Sequence, residues 1–239
     1  MYGRKLSVIV PLYNEERTIV VMLEKLFKVA LPGLALEVIV VDDFSADGSA
    51  EAVRQFAAAY PEHCLTVVTL AANFGKGYAI RSGLAQVSGD FVMIQDADLE
   101  YTPNDYACLL EPMLNGNADV VYGSRFVGGK PHRVLFFWHS IGNKFLTFVS
   151  NMFSNLNMTD METGMKLFRT AVLKQIDLKE NRFGFEPEVT AKVSRIKNIR
   201  IYEVGISYYG RTYEEGKKIN WKDGFRALYC IFKYGMLQR

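Results

Sequence analysis

Phe91-Val92-Met93-Ile94-Gln95-Asp96-Ala97-Asp98-Leu99-Glu100 starts as an apolar run and ends in three carboxylates within five residues. A segment apolar through most of its length suits a strand buried on both faces, that is, a parallel strand with helices on either side. The same form recurs at residues 6–11, 37–42, 65–69 and 119–123, so five strands are expected, the quoted one covering 91–96. Amphipathic segments separate them at about 18–30, 49–60, 76–86 and 104–115, the last opened by Thr102-Pro103 as cap and first helical residue. This alternation predicts an α/β fold on a mostly parallel sheet flanked by helices.

After Arg125 the rhythm changes. Gly128-Gly129-Lys130-Pro131 signals a loop, and residues 134–155 read as one or two helices rich in Phe, Trp, Leu and Val. Strands are expected at 165–168, 199–204 and 206–209, with a helix near 187–195. The chain closes with an amphipathic helix at about 220–234, in which Trp221, Phe225, Leu228, Tyr229 and Phe232 recur at spacings of three and four. Such a stripe first suggests packing on the core, with a membrane-surface role second.

The 239 residues, 49% hydrophobic and 23% charged, suffice for a substantial core and exclude disordered and fibrous classes. A net charge of +2 is too small for a general nucleic-acid binder. From Arg211 onward, however, the chain carries +4, against −2 for the rest, which suits an anionic partner. Three scattered cysteines suggest neither a disulfide framework nor a zinc site, so a reducing, cytoplasmic compartment is expected. The apolar run 6–12 is too short for a signal peptide, and no stretch approaches the roughly 18–20 apolar residues of a membrane span. Membrane contact is therefore expected to be peripheral, on the cytoplasmic face.

Ligands of open α/β sheets bind at the carboxyl ends of the strands. Pro11 to Glu15, Asp42-Asp43 and Asp96 to Glu100 all fall there. Asp96 and Asp98, alternate on an extended segment, point the same way and repel unless a cation lies between them. Hard oxygen ligands favour magnesium or manganese, whose shell a diphosphate could complete. Without a metal, one Asp would cap a turn and the other would face water. Asp43 could accept hydrogen bonds from a base or ribose, or else cap the turn at 45–49. Asn73 to Gly77 opens the third helix, where glycines let amides approach phosphate, but it lacks the dinucleotide and Walker patterns.

Pro11-x-Tyr13-Asn14-Glu15, Val41-Asp42-Asp43-x-Ser45-x-Asp47-Gly48, Asn73-x-Gly75-Lys76-Gly77, Asp96-Ala97-Asp98-Leu99-x-x-x-Pro103 and Gly123-Ser124-Arg125 stand in this order. Together they resemble the inverting nucleotide-sugar glycosyltransferases of the GT-A fold, and more narrowly the dolichol-phosphate mannosyltransferase and polyprenyl-phosphate glycosyltransferase branch. The resemblance extends to Asp160-x-x-Thr163-Gly164-x-Lys166-x-Phe168-Arg169, to Glu203-Val204-Gly205-Ile206-x-Tyr208, and to Arg211 and Gly216-Lys217. It implies a GT-A domain over 1–218, with a nucleotide-sugar half at 1–125 and an acceptor half at 126–218, followed by a C-terminal amphipathic helix at 219–239.

By the same resemblance, Pro11, Tyr13, Glu15, Val41 and Asp43 hold base and ribose, and Lys76, Ala97, Arg211 and Lys217 also meet the nucleotide sugar. Asp96, Asp98 and Arg125 are the catalytic set. Mg2+ or Mn2+ is held by Asp96 and Asp98, with Glu100, where relatives often carry Gln, as a further ligand. Arg125, Arg133 and Arg211 bind the acceptor. The implied partners are a GDP- or UDP-hexose and a polyprenyl phosphate, with the apolar face of the last helix covered by membrane or by a second copy in a homo-oligomer. Relatives often append transmembrane helices that this chain does not carry. A glycan hydroxyl acceptor is the alternative; it would need a carboxylate base, for which Glu162, Glu186 and Glu188 are available. A non-catalytic sugar-nucleotide binder is the third reading, against which the retained Asp96, Asp98 and Arg125 speak.

Overall fold

The computed structural model describes residues 4–134, 136–212, 214–215 and 221–236. Its sheet comprises β1 (Arg4–Leu12), β2 (Leu34–Asp42), β3 (Leu65–Thr69), β4 (Phe91–Ile94), β5 (Val120–Ser124), β6 (Lys166–Arg169) and β7 (Ile201–Gly205), in the spatial order β3-β2-β1-β4-β6-β5-β7. Only β6 runs antiparallel to its neighbours. The expected α/β architecture is what the chain adopts.

The two-residue period of the strands divides the core in two. Leu6, Val8 and Val10 of β1 face α1 (Ile19–Lys28), α2 (Ser49–Ala59) and α4 (Tyr106–Leu114), while Ile9 with Ile39 and Val41 of β2 faces α3 (Lys76–Leu84) and α7 (Phe185–Val193). Every residue of β4 is buried, as a strand covered on both sides requires. The sheet lets α3 close in because position 83 is glycine: a Cβ there would lie 2.7 Å from Ile9 Cγ2.

Some expected boundaries move. Strand β4 stops at Ile94; the Gln95 amide makes one more bond to β1, donating to Ile9 O at 3.0 Å, while its side chain donates to Asp96 O at 3.0 Å and accepts from Tyr106 Oη. The region 134–155 is one helix, α5 (Phe137–Ser154), and a short α6 (Thr170–Lys174) follows β6. The strand expected at 206–209 does not form; Tyr208 makes one isolated bridge, to His132.

The closing helix, α8 (Trp221–Met236), packs on α5 and α7, and of the stripe read from the sequence Leu228 and Phe232 take part, Phe232 edge-on to Phe153 at 5.1 Å. Ala227, Cys230, Ile231 and Tyr234 are the buried face, whereas Phe225, Tyr229 and Phe232 are 66%, 53% and 42% exposed. The expected packing of the helix on the core thus holds, but with the buried face turned so that Phe225 and Tyr229 lie on its outer side. The position is decided by polar groups the periodicity does not weigh: Arg226, Lys233 and Tyr234 all reach Glu180, at 2.5, 3.0 and 2.8 Å.

Candidate functional site

The carboxyl ends of β1, β2, β4 and β5 open into a cavity of about 750 Å³. Three loops that bring carboxylates there turn through left-handed residues: Asn14 (φ 49°) after β1, Phe44 (φ 62°) after β2 and Leu99 (φ 63°) after β4. For Phe and Leu this backbone costs on the order of 1–3 kcal/mol, a local strain that surrounding structure must hold. Because β6 is antiparallel and Lys166 pairs in register with Ile94, the segment 160–166 also arrives at this end of the sheet.

Asp96, Asp98 and Glu100 line the cavity, each with a basic partner. Lys76 Nζ lies 2.8 Å from Asp96 Oδ1 and 3.0 Å from Glu186 Oε1. Burial works against the Lys76 charge, but the two carboxylates outweigh it and hold the ammonium protonated. Arg211 Nη2 lies 2.9 Å from Glu15 Oε1 and 3.1 Å from Asp98 Oδ2, and Nη1 lies 3.0 Å from Glu15 Oε2. Glu100 fixes this arginine from behind, accepting from the Arg211 amide at 2.8 Å and from Tyr208 Oη at 2.8 Å. Arg125 is oriented by Asp160, which accepts from its Nε and Nη2 at 2.6 Å each and from its amide at 3.0 Å.

Burial, reinforced by Asp96 and Glu100 and opposed by Arg211, pushes the Asp98 carboxyl up to about 7. An all-oxygen cluster this short of positive charge fits a hard divalent cation. Glu100, however, is already occupied by Tyr208 and Arg211, and among the described residues no three His, Cys, Asp or Glu side chains converge as metal ligands. Asp96 and Asp98 are likewise engaged, by Lys76 and Arg211, so a cation entering here would share their oxygens with these partners.

The profile of glycosyl transferase family 2 matches residues 7–177, which contain every one of these strand-end clusters except Arg211 and Glu186. The chain belongs to that family. Among its family 2 relatives, a dolichol-phosphate mannosyltransferase of Pyrococcus furiosus is 30% identical over 236 residues, covering 96% of this chain and 64% of that protein. An undecaprenyl-phosphate 4-deoxy-4-formamido-L-arabinose transferase of Photorhabdus laumondii is 28% identical, covering 90% and 63%. The chain thus spans a little under two thirds of the length of both. The fold matches glucosyl-3-phosphoglycerate synthase of Mycobacterium tuberculosis, crystallised with Mn2+, UDP and phosphoglyceric acid, with a TM-score of 0.75 at 20% identity over 98% of this chain and 79% of that one. The GT-A architecture expected from the sequence is therefore the one found.

Most of the site residues expected for a family 2 member meet in the cavity: Pro11, Tyr13, Glu15, Asp43, Lys76, Asp96, Ala97, Asp98, Glu100, Arg125 and Arg211 all line it. Val41 does not; its side chain is wholly buried among Ile9, Ile39 and Ile80 in the sheet's second core. Arg133 lies outside the cavity lining, donating to Gly210 O at 2.8 Å and pairing with Glu215 at 2.7 Å. Lys217 falls outside the described residues. Asp43 is buried and its oxygens accept from Asn73 Nδ2 and from the amides of Phe74 and Gly75, at 3.0, 2.8 and 2.7 Å. Those two amides, expected to be offered to phosphate, are therefore spent on positioning the 73–75 loop.

Sequence reasoning missed Asp160 as the residue that aims Arg125, although both were quoted in motifs; a buried cation needs a fixed anion, which was the available signal. It also missed the exposed aromatic side of α5, where Phe137, Trp138, Phe145 and Phe148 are 67%, 76%, 54% and 62% exposed. Trp138 and Gly142 of this helix line the cavity mouth, as do Gly224 and Ala227 of α8.

Proposed function

We propose that this chain is the catalytic unit of a metal-dependent, inverting glycosyltransferase that moves a hexose from a nucleotide sugar to a polyprenyl phosphate at a membrane surface. The observation that carries this reading is the composition of the cavity at the strand ends. Its floor joins the acidic Asp96/Asp98 pair to Lys76, Arg125 and Arg211, while its mouth is flanked by α5 and α8 with their aromatic side chains turned outward. Such a floor suits a diphosphate and a second phosphate, and such a rim suits an isoprenoid chain and the lipid around it. The two relatives named above carry a dolichol-phosphate and an undecaprenyl-phosphate acceptor in their names, in keeping with this reading.

In the reaction, an oxygen of the acceptor phosphate attacks the anomeric carbon as the bond from that carbon to the diphosphate oxygen breaks, so configuration inverts and the nucleoside diphosphate leaves with the electron pair. A phosphate monoester, with its second pKa near 6, is mostly dianionic at neutral pH and needs no strong base. Arg125, locked by Asp160, presents a fixed cation to the acceptor phosphate, and Arg211 presents another beside Asp98. Lys76 holds Asp96 in place through an ion pair of 2.8 Å. Asp96 and Asp98 would hold Mg2+ or Mn2+, and the chemistry such an ion would supply is stabilisation of the negative charge on the leaving diphosphate.

No helix among the described residues is long and apolar enough to cross a membrane. Contact with lipid is accordingly assigned to the outward faces of α5 and α8. The reading is tested by incubating the protein with labelled UDP- and GDP-hexoses, polyprenyl phosphate and Mg2+ or Mn2+, then extracting with organic solvent. Label in the organic phase is the expected result. Donor consumption with a soluble glycan acceptor and none with lipid would replace the lipid phosphate by a hydroxyl acceptor.

A further inference from the structure

Two buried carboxylate oxygens in the cavity wall have no hydrogen-bond partner among the described residues: Glu162 Oε1 and Glu186 Oε2. Glu186 is only 4% exposed, and both residues line the cavity. A carboxylate oxygen held away from bulk water without a donor is costly, so a pair facing one cavity calls for a ligand that supplies the donors.

Their position says which part of a ligand would reach them. Glu186 shares Lys76 with Asp96, at 3.0 and 2.8 Å, so it stands one side chain away from the acidic pair. Glu162 precedes Gly164, whose backbone abuts the same aspartate so closely that a Cβ there would be 2.2 Å from Asp96 Oδ2. The two glutamates thus flank Asp96 on the side of β6 and α7, away from Glu15 and Asp43 at the ends of β1 and β2. Without a bridging metal the Glu186 carboxylate repels phosphate oxygens, and among the described residues no three acidic, His or Cys side chains gather to hold one there. A neutral group rich in O–H donors is what remains.

We infer that Glu162 and Glu186 form the sugar-recognition end of the site, accepting hydrogen bonds from hydroxyl groups of the transferred hexose. The inference rests on the proposed function, because it is the diphosphate at Asp96 and Asp98 that sets the hexose within reach of these oxygens. It accounts for glutamates where a site binding only phosphate would carry cations. Burial, together with the nearby Glu186, pushes the Glu162 carboxyl up to about 8. A hydroxyl ligand tolerates that charge state because a neutral carboxyl still accepts through one oxygen.

The test compares kcat/KM for UDP-glucose and GDP-mannose with their 2-, 3-, 4- and 6-deoxy counterparts, using wild type, Glu162→Gln and Glu186→Gln, alongside binding of sugar-free UDP and GDP. In Glu186→Gln the amide oxygen stays with Lys76, so the NH2 faces the cavity and cannot accept. For wild type, losing a hydroxyl read by a glutamate should reduce kcat/KM about 10- to 100-fold, the size of a hydrogen bond to a charged group. That penalty should collapse in Glu186→Gln while affinity for UDP or GDP stays at the wild-type value, and should survive in Glu162→Gln, whose amide oxygen still accepts, a split that a merely structural role for the two glutamates would not produce. A deoxy penalty of full size in both variants overturns the inference and leaves the functional reading standing. A wild type that neither binds nor transfers any of these hexoses overturns the functional reading and this inference with it.

Discussion

Arg211 and Glu15, 196 residues apart in sequence, meet through a two-point ion pair of 2.9 and 3.0 Å that ties the loop after β7 to the loop after β1. The same guanidinium reaches Asp98 at 3.1 Å, so one arginine joins the β1 side of the cavity to its acidic centre. A planar fork is needed to serve both carboxylates. Arg211→Lys is therefore expected to lose most of the activity that Arg211→Ala loses, on the order of 10²-fold in kcat/KM, the scale for removing one preorganised electrostatic contact. Steady-state transfer rates check this, and near-wild-type activity in the lysine variant would contradict the pairing.

Lys76 compensates two buried carboxylates at once. Lys76→Met should leave Asp96 and Glu186 facing each other without a cation and cost about 3–5 kcal/mol of stability, as for other broken buried pairs. Adding Glu186→Gln should restore part of that stability without restoring transfer, because Asp96 remains unsupported. Denaturant melts of the three proteins measure the first effect and transfer assays the second. Additive destabilisation in the double variant would show that the two residues do not act together.

Glu180 holds α8 in place and carries a pH signature. Burial disfavours its charge, but Arg226, Lys233 and Tyr234 more than offset this and hold the carboxyl at about 2. The folded group thus sits below its unfolded value near 4.3, and the unfolded chain takes up the proton first as pH falls. The stabilisation is complete above about pH 5 and is lost progressively toward pH 2. Glu180→Gln should lower Tm at neutral pH by about 4–8 °C, equivalent to about 2 kcal/mol in a chain of this size, and should flatten the fall in Tm between those pH values. An unchanged slope in the variant would contradict the clamp.

Phe145 and Phe148 on α5 and Phe225 on α8 are more than half exposed, so replacing them costs the folded state little. Phe145→Ser combined with Phe148→Ser should keep Tm within about 2 °C of wild type, as for other exposed substitutions. Flotation with anionic liposomes should fall sharply in this variant, and wild-type flotation should weaken as salt rises. Undiminished flotation of the variant would contradict the lipid-facing assignment. Sedimentation that shows wild-type dimers and variant monomers would instead assign the face to a second copy.

The parallel strands were legible because burial on both faces leaves an apolar run no other element explains, as in 91–94 and 38–41. Their carboxyl ends then located Glu15, Asp43, Asp96 and Asp98 by topology alone. What remained hidden depends on contacts between distant segments. The family resemblance offers Glu100, in place of the Gln of relatives, as a further metal ligand, yet its oxygens accept from Tyr208 and Arg211, more than 100 residues onward. Val41 falls beside Asp43 in the motif, but the alternation of a strand turns it into the core. The aromatic stripe of α8 reads as a packing face, yet Phe225 and Tyr229 of it lie outward in a helix whose Arg226, Lys233 and Tyr234 all bond Glu180. Periodicity reports which residues share a side, and it is polar anchoring that selects the side turned inward.

The most direct test of the account is transfer of labelled hexose into polyprenyl phosphate by wild type and Asp98→Ala, run in parallel with Mg2+ or Mn2+ after both proteins are shown to melt at similar temperatures. The account predicts lipid-linked label with wild type and a loss on the order of 10²-fold or more in the variant, as expected when a group stabilising leaving charge is removed. Equal label from the two proteins would contradict it, since the acidic centre that Arg211 and Lys76 hold in place would then play no part in the reaction.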